Sequence, residues 1–154
     1  MNKELIKQWG ENTAYSAKCH YKSADLKRIW VKIFVIVNIL FAIFSIMDLG
    51  FSDITKAFGI ISLIASILIL VNESKEDKNT IKRHMLTGDE YLNLHYELQE
   101  LFYKDSVEES EFNSVSKKMK KMNEKDKPII NQYAKRKAEK AIEKKREMTT
   151  WWKS

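Results

Sequence analysis

Two apolar segments without a single charge stand nine residues apart in a chain otherwise rich in lysine. They are residues 33–47 (IFVIVNILFAIFSIM) and 57–72 (AFGIISLIASILILVN). A helix lying on a soluble core shows a polar face every 3.6 residues. Neither segment does: the first holds only Asn38 and Ser45, the second only Gly59, Ser62 and Ser66 before Asn72. A small domain has too little interior to bury two helices that are apolar all round. The pattern therefore predicts a transmembrane helical hairpin, with spans of about 29–47 and 54–72 and a loop at 48–53. At roughly 1.5 Å per residue, 19 residues reach about one hydrocarbon core. Lys32 and Lys56 then fall near helix ends, where their stems can carry the ammonium toward the headgroups.

The flanking charges orient the hairpin. Lys18, Lys22, Lys27, Arg28 and Lys32 precede or open the first span, and Lys75, Lys78, Lys82 and Arg83 follow the second. Near the loop there is Lys56 alone. This asymmetry predicts a multi-pass protein with both termini in the cytoplasm. No short apolar stretch with a cleavage site opens the sequence, so the first span is expected to be its own insertion signal.

A length of 154 residues leaves room for one modest cytoplasmic helical domain beside the hairpin. The expected fold is an all-α membrane protein whose two-helix hairpin extends as long helices into that domain. Its parts are a cytoplasmic N-terminal helix at 1–28, the hairpin at 29–72, a helical extension at 73–104 and a basic helical tail at 105–154. Pro128 is the only proline and there are four glycines, which favours long uninterrupted helices. A lone cysteine, Cys19, excludes an intrachain disulfide.

Centring the turn near residue 52 pairs positions whose numbers sum to about 104. Glu76 then lies level with Arg28, Asp77 with Lys27 and Glu73 with Lys32: three juxtamembrane ion pairs. His20 falls level with His84 by the same rule. Ala14, Ala17, Tyr21, Ala24 and Arg28 follow 3-4-3-4 spacing, a narrow packing face, and Tyr91, Leu94, Leu98 and Leu101 repeat it. Ile130, Ala134, Ala138 and Ala141 predict a further helix over about 129–147, and 105–116 reads as an interruption or loop. Within the spans, Asn38, Ala42 and Ser45 form one small or polar face and Gly59, Ser62 and Ser66 another. Such faces serve helix packing, or in a ring of subunits they line a polar pathway.

Charge is segregated along the chain. From Asp89 to Glu111 eight acids face Lys104 alone, and from Lys117 to Glu147 thirteen bases face five acids. Either these segments attract each other as solvated helix faces, or the basic tail meets anionic lipid or a phosphorylated ligand. Trp151 and Trp152 suit either a helix end at the headgroup layer or the cap of a core. His20, His84 and His95 are too scattered for local ligand spacing, so no metal is expected. No nucleotide fingerprint or nucleophile motif is present; neither enzyme activity nor a cofactor is expected.

Ala17-Lys18-Cys19-His20-Tyr21-Lys22-Ser23-Ala24, then Arg28 and Trp30 ahead of the first span, a short loop and a second span form one ordered pattern. His84 and a Gly88-x-x-Tyr91-Leu92-x-Leu94 segment complete it. The pattern resembles the SLATT domains, two-transmembrane effectors associated with bacterial nucleotide-signalling and antiphage defence loci. The resemblance spans roughly residues 12–104 and implies a homo-oligomer in the bacterial inner membrane that forms a pore when infection is sensed. His20, Tyr21, His84 and Tyr91 carry over as cytoplasmic packing landmarks. The trigger implied is a cyclic oligonucleotide or a partner sensor protein, and DNA binding is not expected. The competing expectation is a non-conducting anchor whose cytoplasmic helices recruit a partner.

Overall fold

The computed structural model describes residues 3–46 and 53–154, without the side chains of 45–46, 55 and 69–76. Its helices are α1 (Lys3–Ile46), α2 (Asp53–Tyr103), α3 (Glu109–Glu124) and α4 (Gln132–Glu143), followed by a 3₁₀ turn at Trp151–Lys153. Among the described residues there is no strand. The first two helices run 44 and 51 residues because no proline interrupts either. The chain divides into two compact units: Met1–Ala24 with Lys82–Ser154, and Asp25–Ile81.

The first unit has an apolar core drawn from every helix. Ile6, Ala14 and Ala17 come from α1, and Tyr91, Leu94, Leu98 and Leu101 from α2. Val115 and Met122 of α3, Ile142 of α4, and the Trp151–Trp152 pair close it. Small side chains on α1 let neighbours approach closely. A Cβ on Gly10 would sit 2.3 Å from the Trp151 ring, and one on Gly88 would sit 2.8 Å from the Tyr21 ring. Each helical glycine forgoes about 1 kcal/mol of helix propensity, and here an aromatic ring occupies the space gained. The tryptophans are core caps: both are buried.

Three expectations are corrected here. Residues 105–116 are not all loop, since α3 begins at Glu109. Phe112, Val115, Met119 and Met122 recur at 3-4-3 spacing and turn one stripe to the core, while Glu109 and Glu111 sit favourably at the positive helix end. The last helix is shorter than 129–147. It starts only after Pro128, where the Asn131 side chain accepts a hydrogen bond from the Ala134 amide at 2.7 Å. It ends where Arg146 turns left-handed at φ 53° and the Glu147 amide returns to the Ala141 carbonyl. Arg28, expected on a packing face, is exposed.

The second unit holds the apolar segments of α1 and α2. Its large side chains point outward from Ile29 to Phe44 and from Ile54 to Leu68, with Trp30, Phe41 and Phe58 each about two-thirds exposed. Ala42, Gly59 and Ser66 are buried within it. Among the described residues no helix is long and apolar enough to cross a membrane. The expected spans, 29–47 and 54–72, extend past those residues at 47 and past the described side chains at 45–46 and 69–72.

Candidate functional site

Three buried histidines organise the helical unit. His20 of α1 and His84 of α2 meet Nδ1 to Nδ1 at 2.9 Å. One nitrogen must donate and the other accept, so the pair in its neutral form holds a single proton between the two atoms. His20 also stacks on Tyr91, with ring centroids 6.0 Å apart. Burial pushes His20 down to about 4, and repulsion from His84 and from Lys127 adds to it. Burial likewise lowers His84, with Arg83 adding to it. A second proton would set two N–H groups head to head between two buried rings.

His95 is fixed more tightly still. The Trp151 indole can only donate, and its Nε1 lies 3.0 Å from His95 Nε2. Nε2 must therefore carry the lone pair, which leaves the proton on Nδ1, 2.9 Å from the Gly10 carbonyl. The geometry thus assigns the Nδ1–H tautomer and ties α1, α2 and the C-terminal turn through one ring. Burial lowers the His95 pKa, although the Gly10 carbonyl opposes the shift. His84 and His95 lie on one helix but serve two separate contacts.

Around this layer most polar groups find partners; the buried Trp152 indole N–H, beside His95, is an exception. Tyr21 Oη donates to Asp89 at 2.7 Å, and burial together with that carboxylate raises its pKa. Tyr15 Oη donates to Glu143 at 2.9 Å and is pushed up to about 12, first by burial and then by that bond. Lys127 Nζ reaches the Tyr91 hydroxyl at 3.1 Å. Cys19 is a free, buried thiol whose pKa burial raises. It lines a 540 Å³ cavity with Trp9, Asn12, Tyr15, Asn123 and Lys135. A 630 Å³ groove between α2 and α3 is lined by lysines and glutamates, and there Lys118 pairs with Glu97 and Lys125 with Glu90. The acidic and basic segments therefore do meet. Among the described residues no group of three or more His, Cys, Asp or Glu is placed to hold a metal ion.

In the second unit, Lys27 Nζ lies 2.7 Å from Asp77 Oδ1, and Asp77 is buried. Arg28 lies 4.0 Å from Asp25 in its own helix. Lys32 is exposed, while the side chains of Glu73 and Glu76 fall outside the described residues, as does that of Ser45. Asn38 donates to the Phe34 carbonyl and Ser66 to the Ser62 carbonyl, both at 2.8 Å. These polar groups are satisfied within their own helices.

Together these features define an all-α protein built on two very long helices with an apolar belt on their outer surface. The chain belongs to the SLATT family: the model described as SMODS and SLOG-associating 2TM effector domain 6 matches residues 1–150. No curated protein and no solved structure matches it.

Proposed function

We propose that this chain is the membrane-acting effector of a bacterial antiphage defence system. Its hairpin spans the inner membrane with both termini cytoplasmic, several copies assemble, and the assembly permeabilises the membrane when triggered. The observation that carries the reading is a belt that includes, among the described residues, 18 large apolar side chains, each at least 40% exposed, at positions between Ile29 and Leu68. Exposed apolar area on this scale marks a membrane or protein contact. Family membership supports an effector with two spans. The trigger is a cyclic oligonucleotide or a partner sensor, and the action is physical rather than enzymatic.

A scaffold reading has its own support. Ala42, Gly59 and Ser66 are buried within the unit, which suits helix packing more than the lining of a pathway. Asn38 and Ser62 are only half-buried and remain the better lining positions. The deciding experiment is potassium and dye leakage from liposomes carrying the full chain, with and without cyclic oligonucleotides. Leakage that Ser62→Leu abolishes in inserted oligomers supports the pore. Silent vesicles with insertion verified, and activity in cells that survives an exchange of the hairpin, would establish the scaffold instead.

A further inference from the structure

Helix α4 spends its charges unevenly. Ala134, Ala138, Ala141 and Ile142 face the core. On one outer flank the spacing gathers Tyr133, Arg136, Lys137, Lys140 and Lys144, all exposed. Two of the three acids of this region are engaged elsewhere: Glu143 accepts from Tyr15, and Glu147 pairs with Lys18 and Lys22, while Glu139 is exposed three residues from Arg136. Lys137 lies over the Tyr133 ring at 5.3 Å. Ile129, in the extended segment leading into the helix, is 93% exposed, more than any other large apolar residue described. The neighbouring Asp126 is bonded to Arg83 of α2, which holds one end of this segment.

We propose that Ile129, Tyr133 and the Arg136, Lys137, Lys140, Lys144 stripe form a docking surface for an anionic phospholipid bilayer. A row of bases headed by an aromatic and a fully exposed aliphatic side chain matches the interfacial layer, where headgroup phosphates meet the first acyl carbons. A nucleic acid would satisfy the lysines and leave the isoleucine in water. The inference rests on the membrane residence proposed above. It adds a second, charge-dependent contact that a tether alone does not require.

The test uses the full chain with an environment-sensitive fluorophore on Ile129→Cys, reconstituted into nanodiscs. Discs of phosphatidylcholine are compared with discs containing phosphatidylglycerol. The expected result is a blue shift confined to the anionic discs and lost at high salt. Replacing Arg136, Lys137, Lys140 and Lys144 by serine should remove it, while replacing the three lysines by arginine should preserve it. For vesicle binding, each lost charge should weaken the contact about fivefold. Equal spectra in both discs, with the chain firmly incorporated, would overturn the docking surface and leave membrane residence standing. Failure to incorporate in either disc would strike the membrane reading itself. Vesicle flotation then decides the surface: retention on phosphatidylglycerol vesicles that needs both Ile129 and the bases upholds it, and no retention overturns it. Salt-sensitive binding to single-stranded RNA that is indifferent to Ile129→Ser would reassign the stripe to nucleic acid.

Discussion

Gly10 and His95 show how much of the helical unit hangs on single atoms. The Trp151 ring fills the place of a Gly10 side chain and simultaneously donates to His95. Gly10→Ala should therefore cost about 2 kcal/mol through overpacking, despite alanine's better helix propensity. In a Trp151→Leu background the same change should cost much less, and a double-mutant cycle of thermal unfolding measures the difference. The histidines supply a pH dependence of definite sign. All three have pKa values below the ordinary 6.5, His20 at about 4. The unfolded chain thus takes up protons first, so their contribution is complete above pH 6.5 and declines as pH falls toward 4. Each should remove about 1.4 kcal/mol per pH unit within its window. Glu111 and Glu147 are held below the usual carboxylate value of 4.5, so between pH 6.5 and 5 the histidines dominate. Unfolding midpoints that stay flat over that interval, or that a His20→Leu/His84→Leu variant leaves equally steep, would contradict this assignment.

At the scale of the element, the turn that follows α4 holds a residue that its backbone does not favour. Arg146 adopts φ 53°, where a side chain costs about 1 kcal/mol and glycine costs nothing. Arg146→Gly should raise stability by roughly 0.5–1 kcal/mol and the melting temperature by a few degrees; a lower melting temperature would mean the guanidinium holds a contact worth more than the strain. The elements also show what can be read from letters. Two long helices were legible because uncharged runs and missing prolines are local signals. The level of His20 against His84 followed from counting outward from one turn. Helix α3 was not legible: its four core residues, Phe112, Val115, Met119 and Met122, are scattered among lysines and glutamates, although their 3-4-3 spacing could have revealed it. The partners of His95 were beyond such reasoning, because the Gly10 carbonyl and the Trp151 indole come from opposite ends of the chain. Nor did spacing alone tell that Ala42 and Ser66 would be buried while their apolar neighbours faced out.

For the whole molecule, the energetics of the second unit decide its surroundings. Among the described residues, eighteen large apolar side chains remain roughly half exposed between Ile29 and Leu68. Full burial of such a side chain is worth about 1.5–3 kcal/mol, so covering the exposed halves would gain on the order of 14–27 kcal/mol. That matches or exceeds the stability of an ordinary domain, about 5–15 kcal/mol, so a belt left bare in water drives association. Lipid and other copies of the chain can each cover the belt, and charge separates the two. A lysine placed at mid-belt is costly against hydrocarbon, by about 2.5–3.5 kcal/mol on insertion scales, but tolerable at a wet protein contact. Ile39→Lys with Ile64→Lys should therefore shift the chain from the detergent-extractable membrane fraction to soluble or aggregated material, while the buried histidine layer of the other unit stays folded. Membrane association of that double variant at wild-type level, with variant and wild-type chains both released by alkaline carbonate, would show that the belt is covered by protein and that the hairpin does not meet lipid.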